Sequence, residues 1–459
     1  MIPQRLEDIL RADAPASVLA ELFGGAGKEL YLVGGSVRDL MLGVPHGDLD
    51  FATDALPDEI IAIVEGWASD VVTIGAEFGT VGVVKGGDLH EITTFRSEVY
   101  RDDSRKPSVS YSDNIVEDLS RRDFTVNAMA LRLPEPEMID PHGGLDDLAA
   151  GILRTPLEPA ISFGDDPLRM LRMYRFVSQL GFEADPAAVD AVAQMHSRLD
   201  IISAERVRDE LARLLKGEHV AEGLSGLVDS GLAGQFLPEF TALALSQDPV
   251  HRHKDVLAHT IAVVEKCPPQ LTLRLAALLH DIGKPDTRSF EGRRVTFHHH
   301  EVVGSRMARD RLRALRFPKT VVSDVSRLVY LHMRPHTYAL GWTDRAVRRY
   351  VRDAGHLLED LNYLVRCDVT TANAKRARQI AKRIDELEER IIALRQTEKL
   401  DALRPPIDGN DVMRHLEVDP GPVVGEAMSM LMEHRLDHGP YLPEDAFKLL
   451  DAWWEERQG

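Results

Sequence analysis

Two short motifs near the start of the chain combine residue types that handle phosphates. Residues 34–39 (Gly-Gly-Ser-Val-Arg-Asp) follow the apolar run 30–33, which is typical of a short buried strand. Glycines that lead into a helix leave backbone N–H groups free to bind an anion. Asp48 and Asp50 are two residues apart, so on a strand they share one face, where paired carboxylates suit Mg²⁺. A phosphate cradle beside magnesium ligands predicts nucleotidyl transfer.

One helix and a hairpin must position these groups. Ser36 is expected to cap a helix that ends at Gly43. Residues 80–85 and 89–95 predict a hairpin, and Glu91 lies in its second strand. Glu91 can therefore bring a third carboxylate from a neighbouring strand. A two-metal site needs such carboxylates to hold the attacking and leaving oxygens in line.

Later motifs continue the series in an order that resembles a known family. Residues 121–127 read Arg-Arg-Asp-Phe-Thr-Val-Asn, residues 140–148 read Asp-Pro-His-Gly-Gly-Leu-Asp-Asp-Leu, and residues 166–169 read Asp-Pro-Leu-Arg. With the first two motifs they resemble the class II tRNA nucleotidyltransferase and bacterial poly(A) polymerase family, within the polymerase-beta nucleotidyltransferase superfamily. The resemblance extends to about residue 440. It implies an α+β fold, with a polymerase-beta-like head built on a mixed β-sheet, followed by a mostly α-helical neck, body and tail.

The resemblance also implies an activity and a set of site residues. The head would transfer CMP and AMP from CTP and ATP to the tRNA 3′ end, with no DNA or other nucleic-acid template. Asp48 and Asp50 would hold two Mg²⁺ ions, with Glu91 assisting as a third catalytic residue. The implied nucleotide-binding residues are Gly34, Gly35, Ser36, Arg38, Arg121, Arg122, Asp123, Asn127, Asp166 and Arg169.

Asp166 and Arg169 offer a physical basis for base selection. On a helix, residues three apart share a face, and here one is an acceptor and the other a forked donor. Cytosine and adenine present an amino donor beside an acceptor nitrogen, whereas uracil would meet the aspartate with a clash of lone pairs. The family uses this pair as a protein template. Asp165 departs from the glutamate usual there, and residues 101–107 resemble the family's flexible loop.

A second constellation lies farther along the chain. It resembles the HD phosphohydrolase superfamily, and its members are His259, His280, Asp281, His300, His332 and Asp368. Imidazoles and carboxylates together suit Mn²⁺, Ni²⁺, Fe²⁺ or Mg²⁺. Such a metal can activate water against a phosphoester. The alternative is a decayed HD domain kept as a scaffold. Because all six ligands are present, the sequence favours a metal-competent site.

The net charge of the chain limits how it can contact nucleic acid. The net charge of −19, from 55 basic and 74 acidic residues, argues against a nonspecific coat on nucleic acid. Contacts to tRNA must therefore come from local basic patches on helices. The candidate RNA-binding residues are Arg206, Arg213, Arg348, Arg349, Lys375 and Arg376.

Length predicts the number of domains, and cysteine content and hydropathy predict the cellular compartment. At 459 residues the chain is too long for one core. The predicted domains are a head at 1–150, a neck at 151–245, an HD domain with its following helix at 246–400, and a tail at 401–459. Two cysteines, no signal-peptide core and no membrane-length apolar run predict a cytoplasmic protein without a membrane partner.

Two other functions stay open. A poly(A) polymerase or an A-adding enzyme shares nearly every motif, although the loop region and the absence of a long basic extension favour addition of CCA. A different class, an HD-domain phosphohydrolase with a vestigial head, is disfavoured because the three carboxylates of the head are all present.

Overall fold

The computed structural model describes residues 10–11, 13–44, 48–99, 108–244, 255–291, 294–369, 374–398 and 403–458. The chain divides into two compact units, Met1–Pro238 and Glu239–Gly459. The expected α+β fold is confirmed: the first unit carries the mixed sheet and the second is mostly helical. The finer domain boundaries at 150, 245 and 400 stay predictions. Within the described ranges, no helix combines the length and the apolar character needed to cross a membrane.

The first unit is built on strands that form one large sheet and two small ribbons. The strands are β1 (Leu30–Val33), β2 (Asp50–Thr53), β3 (Asp70–Val72), β4 (Thr80–Lys85), β5 (Asp88–Thr94), β6 (Arg96–Val99), β7 (Ser108–Tyr111), β8 (Ala130–Leu133), β9 (Glu137–Ile139), β10 (Ile152–Leu153) and β11 (Glu183–Ala184). The large sheet has seven strands in the order β3-β4-β5-β2-β1-β8-β9. β2 and β5 run parallel and its other pairs are antiparallel.

The predicted hairpin is confirmed as the β4–β5 pair. Its position in the sheet decides where the acidic side chains meet, because β5 also pairs with β2. In that parallel register Asp50 lies opposite Glu91. Residues directly opposite each other in a ladder have side chains on the same face.

Alternation along the strands separates a packed face from the face that carries the polar groups. Leu32 and Phe51 pack in the larger core cluster with Phe23 of the first helix. Tyr31 and Ala52 point the other way, into a smaller cluster. Because side chains alternate with period two, Asp50 shares the face of Ala52 and not that of Phe51.

Helices surround this sheet and continue beyond it in the first unit. They are α1 (Pro15–Gly25), α2 (Gly35–Leu42), α3 (Pro57–Val64), α4 (Ile115–Ser120), α5 (Gly144–Ala150), α6 (Pro159–Asp165), α7 (Leu168–Leu180), α8 (Pro186–Met195), α9 (Ala204–Leu214), α10 (Val220–Asp229), α11 (Ala233–Phe236) and α12 (Pro238–Thr241), the last at the division between the units. Short 3₁₀ segments occur at Ala76–Phe78, Thr125–Asn127 and His196–Ile201. Gly43 ends α2 in the left-handed conformation, as expected.

Within its described residues, the second unit consists mainly of helices and contains one hairpin. Its elements are α13 (Val256–Lys266), α14 (Leu271–Leu279), α15 (Lys284–Thr287), β12 (Arg288–Glu291), β13 (Arg294–Phe297), α16 (His300–Ala314), α17 (Lys319–Leu331), α18 (Asp344–Ala354), α19 (Leu358–Cys367), α20 (Ala374–Glu398), α21 (Gly409–Leu416), α22 (Pro422–His438) and α23 (Pro443–Gln458). Two 3₁₀ segments, Pro335–Leu340 and Gly355–Leu357, flank α18. The apolar helix expected before His280 is α14, whose residues from Leu273 to Leu279 are buried.

Candidate active site and metal centre

The glycine turn differs in detail from its prediction. Helix α2 begins at Gly35, its N-cap is Gly34, and no side chain caps it. Ser36 lies inside the helix, buried, and its hydroxyl accepts a hydrogen bond of 2.9 Å from the backbone N–H of Asp50. The serine cap is therefore wrong, because Gly34 has a φ of 66° and a backbone shape that suits glycine. Ser36 instead ties the turn to strand β2.

Two of the three carboxylates lie on neighbouring strands, and the third lies just before one of them. Asp50 begins β2 and faces Glu91 across the ladder. Asp48 precedes the strand, so its expected place on it is wrong, and one of its oxygens accepts from Leu89 N at 3.2 Å. Burial together with the charges of Asp50 and Asp48 raises the pKa of Glu91. Acidic oxygens that repel one another fit a hard divalent cation, which lowers that repulsion.

A cavity of about 210 Å³ is lined by two of these carboxylates, Asp50 and Glu91, and by arginines. Its lining residues are Val33, Asp50, Phe51, Glu91, Thr93, Arg96, Arg121 and Arg122. A metal-bound triphosphate needs carboxylates on one side and guanidiniums on the other. Sequence reasoning named Asp50, Glu91 and the two neighbouring arginines, but it missed Arg96. The signal for Arg96 was its place directly after residues 89–95, the predicted strand that carries Glu91.

Asp118, also missed from the sequence, holds the two arginines in place. Arg121 Nη2 donates to one carboxylate oxygen at 2.6 Å, and Arg122 Nη2 donates to the other at 3.0 Å. Burial opposes the charge of Asp118, but the two guanidiniums outweigh it and lower its pKa. The sequence signal for this contact was spacing: Arg121 and Arg122 follow Asp118 by three and four residues, which places them beside it on a helix.

A second buried network lies behind the arginines. Arg38 Nη1 donates to Asn127 Oδ1 at 2.6 Å, and Asn127 Nδ2 donates to Asp123 Oδ1 at 2.9 Å. Arg172 Nε donates to the other Asp123 oxygen at 2.9 Å. Burial opposes the charge of Asp123, but Arg172 and Asn127 hold its pKa well below the usual range. These hydrogen bonds join helix α2 to the segment 123–127 and to helix α7.

Asp166 and Arg169 do not share a helical face. Asp166 follows the last residue of α6 in extended conformation, and Pro167 separates it from α7. The prediction of one shared face is therefore wrong, because the chain turns at this proline. One Asp166 oxygen accepts from Leu168 N at 3.1 Å, and the other accepts from Arg206 Nη2 at 2.8 Å.

Arg169 links this turn to the cavity arginines. Its Nη1 donates to Ser162 Oγ at 3.0 Å, and its Nη2 donates to the backbone carbonyl of Arg121. The guanidinium is buried and held on two sides. The turn that carries Asp166 is thereby anchored to the segment that carries Arg121 and Arg122. The predicted flexible loop at 101–107 lies outside the described residues.

The residues predicted to contact RNA lie in different settings. Arg206 and Arg213 stand on α9, where Arg206 pairs with Asp166, and Arg213 lies 3.8 Å from Glu210. Their side chains are about half exposed, which leaves both guanidiniums accessible to a phosphate.

The candidate RNA-binding residues of the second unit differ in their exposure to solvent. Arg348 is buried, its Nε donates to Glu398 at 2.8 Å and its Nη1 donates to Leu436 O at 2.9 Å. This places its guanidinium in a structural network and away from a phosphate-binding surface. Arg349 is partly exposed and pairs with two acidic residues. Lys375 is exposed on α20, and the side chain of Arg376 lies outside the described part of the chain.

The six HD residues converge in the second unit. In the part of the chain that the structure describes, two groups of three have ligand atoms within 4.8 Å of one another. The first group is His259, His280 and Asp368, and the second is Asp281, His300 and His332. The sequence prediction that these residues meet is therefore matched by the geometry.

Three of the histidines are oriented as metal ligands. Nδ1 of each contacts the carbonyl three residues earlier, at 2.7 Å for His280, 2.9 Å for His300 and 2.6 Å for His332. A carbonyl only accepts, so Nδ1 carries the hydrogen and Nε2 is turned into the cluster. The Nε2 atoms of His300 and His332 lie 3.3 Å apart. Lone pairs that face each other in this way fit a bound cation.

Charges in the cluster point to the same conclusion. Burial and the neighbouring His280 lower the pKa of His332 to about 3, so this imidazole is neutral. Burial also opposes a charge on His280, but Asp281 and Asp368 outweigh it and raise its pKa to about 10. Without a metal, a proton on His280 offsets the buried carboxylates. A dication can replace that proton, since both carboxylates lie within reach.

Three family models match successive parts of the chain. Residues 30–154 match the poly A polymerase head domain. Residues 181–243 match a probable RNA and SrmB binding site of polymerase A, and residues 256–394 match the HD domain.

Relatives and a solved structure carry related names. An A-adding tRNA nucleotidyltransferase of Deinococcus radiodurans is 34% identical over 93% of this chain and 96% of its own length. A CCA-adding enzyme of a Geobacillus species is 44% identical, over 45% of this chain and 50% of the relative. The solved Bacillus stearothermophilus CCA-adding enzyme in complex with CTP superimposes with a TM-score of 0.69 at 26% identity, covering 96% of this chain and 97% of the other.

Proposed function

The chain belongs to the family of tRNA nucleotidyltransferases and bacterial poly(A) polymerases, and we propose that it adds CMP and AMP to the tRNA 3′ end without a template. The observation that carries this proposal is the cavity in which Asp50 and Glu91 face Arg121 and Arg122. CTP and ATP are the donors, and tRNA is the acceptor.

The proposed reaction is a single displacement at phosphorus. The 3′-hydroxyl oxygen of the tRNA bonds to the α-phosphorus, and the bond from that phosphorus to the β-bridging oxygen breaks. Pyrophosphate leaves with the electron pair, and the hydroxyl proton is released. Arg121 and Arg122, fixed by Asp118, hold the triphosphate. Mg²⁺, when bound by Asp48 and Asp50, supplies Lewis-acid stabilisation and a lower pKa for the attacking hydroxyl.

Base selection falls to the turn after α6. Asp166 presents an acceptor that pairs with the amino group of cytosine or adenine, and uracil lacks that donor. Arg169 holds the turn against Arg121, so the base and the triphosphate are positioned by one connected structure. Rejection of uracil then rests on leaving polar groups unpaired, which costs more than a misfit in size.

Addition of A alone is the second candidate. The A-adding relative of Deinococcus radiodurans aligns with 93% of this chain, whereas the more identical Geobacillus relative, a CCA-adding enzyme, aligns with less than half of it. Both activities use the same carboxylates and arginines, so these residues do not separate them.

The test uses tRNA that lacks its last three nucleotides and tRNA that ends in CC. Each is incubated with CTP alone, ATP alone, or both. A CCA-adding enzyme extends the shorter tRNA by two residues with CTP and by three with both nucleotides. If CTP gives no extension and ATP extends only the tRNA that ends in CC, the chain is an A-adding enzyme.

We also propose that the HD residues bind a divalent metal and hydrolyse a phosphomonoester. Water oxygen bonds to phosphorus, the ester bond breaks, and the leaving alkoxide takes a proton from water. The six ligands would hold Mn²⁺, Ni²⁺, Fe²⁺ or Mg²⁺, which supplies an activated water when bound. The orientation of three Nε2 atoms into one cluster supports this proposal. Metal analysis and a panel of phosphomonoesters test it.

The proposed compartment is the cytoplasm. Both cysteines, Cys267 and Cys367, are free and buried. Free thiols of this kind suit a reducing compartment.

A further inference from the structure

A cavity of about 490 Å³ lies between helix α20 and the 3₁₀ segment Pro335–Leu340. This volume falls within the range of small-molecule sites, about 300–1,000 Å³. The cavity is lined by Pro335, His336, Lys375, Gln379, Ile380, Arg383 and Ile384. The residues from α20 recur at helical spacing, so they form one face of that helix.

The lining is basic in an acidic protein. Lys375 and Arg383 bring cations and Gln379 brings an amide, whereas no aspartate or glutamate is among the described lining residues. Ile380 and Ile384 supply an apolar wall. In a chain with a net charge of −19, a cavity with this composition favours an anion attached to a partly apolar group.

The cavity shares a wall with the HD cluster. His336 Nε2 lies 3.2 Å from one oxygen of Asp368, on the cavity side. The other oxygen of Asp368 lies 3.0 Å from His259 Nε2 and 3.5 Å from His280 Nε2, within the first metal-ligand group. His336 of the cavity lining therefore contacts a carboxylate that belongs to the proposed hydrolytic centre.

We propose that this cavity binds a second phosphate of the substrate that the HD site hydrolyses. The substrate class is a 3′-phosphorylated RNA end, whose terminal nucleotide carries a scissile 3′-phosphate and a 5′-phosphate. The 3′-phosphate lies at the HD cluster, and the 5′-phosphate contacts Lys375 and Arg383. This inference rests on the proposed HD hydrolysis, and it gives Lys375 a role other than contact with the body of the tRNA.

The experiment compares adenosine 3′,5′-bisphosphate with adenosine 3′-monophosphate, using the full chain loaded with Mn²⁺ or Ni²⁺. Excess CTP occupies the nucleotide site of the head. The wild type should hydrolyse the bisphosphate with a kcat/KM about tenfold or more above that of the monophosphate. The double variant Lys375→Gln/Arg383→Gln should bring that ratio close to one. Lys382→Gln, on the same helix but outside the lining residues, should leave the ratio unchanged.

Calorimetric titration of the bisphosphate into metal-free protein, again with CTP present, gives a second readout. Binding that is lost in the double variant and kept in Lys382→Gln supports the cavity, even if neither compound is hydrolysed; the proposed HD hydrolysis alone then fails. Equal hydrolysis of both compounds by the wild type overturns the cavity proposal and leaves HD hydrolysis intact. If neither compound is hydrolysed, absent binding, or binding unaffected by the double variant, also overturns the cavity proposal.

Discussion

Asp50 and Glu91 face each other across a parallel ladder, an arrangement that brings like charges together. Replacing Asp50 by asparagine keeps the shape of the side chain and removes one negative charge from the metal site. We expect Asp50→Asn to lower incorporation of both CMP and AMP about 100-fold or more. Binding of tRNA, measured by filter retention, should change little, because the metal acts on the chemical step. Incorporation at more than a tenth of the wild-type rate would contradict the metal assignment.

The raised pKa of Glu91 has a consequence for stability. Because the folded protein holds this proton more tightly than the unfolded chain, raising the pH through the folded pKa lowers the free energy of unfolding. Glu91→Gln removes the repulsion between the Glu91 carboxylate and the carboxylates of Asp50 and Asp48. The metal-free variant should therefore melt slightly higher than the wild type at pH 7. Added Mg²⁺ should raise the melting temperature of the wild type more than that of the variant. A lower melting temperature for metal-free Glu91→Gln would show that Glu91 does not suffer this repulsion.

Asp166 forms an ion pair with Arg206 of α9. Arg206 can therefore be tested for two roles, the positioning of Asp166 and contact with RNA. Asp166→Ala should weaken C and A incorporation about 10- to 100-fold and relax rejection of UTP, because the acceptor for the amino group is lost. Arg206→Ala leaves the acceptor but frees its orientation, so CTP:UTP discrimination should fall by a smaller factor. Arg213→Ala, on the same helix and away from Asp166, is the matched control. If Arg206→Ala raises only the KM for tRNA, Arg206 is an RNA contact and not a positioning residue.

At the scale of elements, the turn between β1 and α2 requires glycine at position 34 for two reasons, its backbone conformation and the closeness of Arg122. Its φ is positive, and an added Cβ would lie 2.8 Å from Arg122 Nη1. Gly34→Ala should therefore cost about 1 kcal/mol of stability and displace Arg122, which is proposed to hold the triphosphate. Gly43, at the other end of α2, has a similar φ but nothing within 4 Å of an added Cβ. Gly43→Ala should lose similar stability in chemical denaturation and keep its activity, while Gly34→Ala loses both.

The elements also show which features were predictable. Local patterns gave the hairpin that carries Glu91 and the apolar helix before His280, since period and turn residues are local properties. The cap by Ser36 and the shared helical face of Asp166 and Arg169 were wrong. Ser36 accepts a hydrogen bond from the backbone N–H of Asp50, and this contact joins segments that local periodicity does not relate. The helical face expected for Asp166 and Arg169 is instead interrupted by Pro167, which is a local signal. The bond from Arg169 to the Arg121 carbonyl again joins segments far apart in sequence.

At the scale of the whole molecule, the two proposed chemistries belong to separate compact units. The carboxylates and arginines of the transfer site lie before Pro238, and the HD ligands lie after Glu239. Each unit has its own core and its own set of proposed metal ligands. Loss of one metal site should therefore leave the chemistry of the other unit intact.

The double variant His280→Ala/Asp281→Ala tests this independence. Both side chains are buried, and they contribute one residue to each HD ligand group. The variant should lose transition metal, measured by mass spectrometry of the purified protein, and lose phosphomonoester hydrolysis. Nucleotide addition to tRNA should stay within about twofold of the wild type, since the ligands in the head are untouched. His356→Ala, an exposed histidine that pairs with Asp324, controls for general loss of histidine. A wild type that carries no metal and cleaves no phosphoester would establish the cluster as a packed scaffold, and a double variant that loses nucleotide addition would show that the units are coupled.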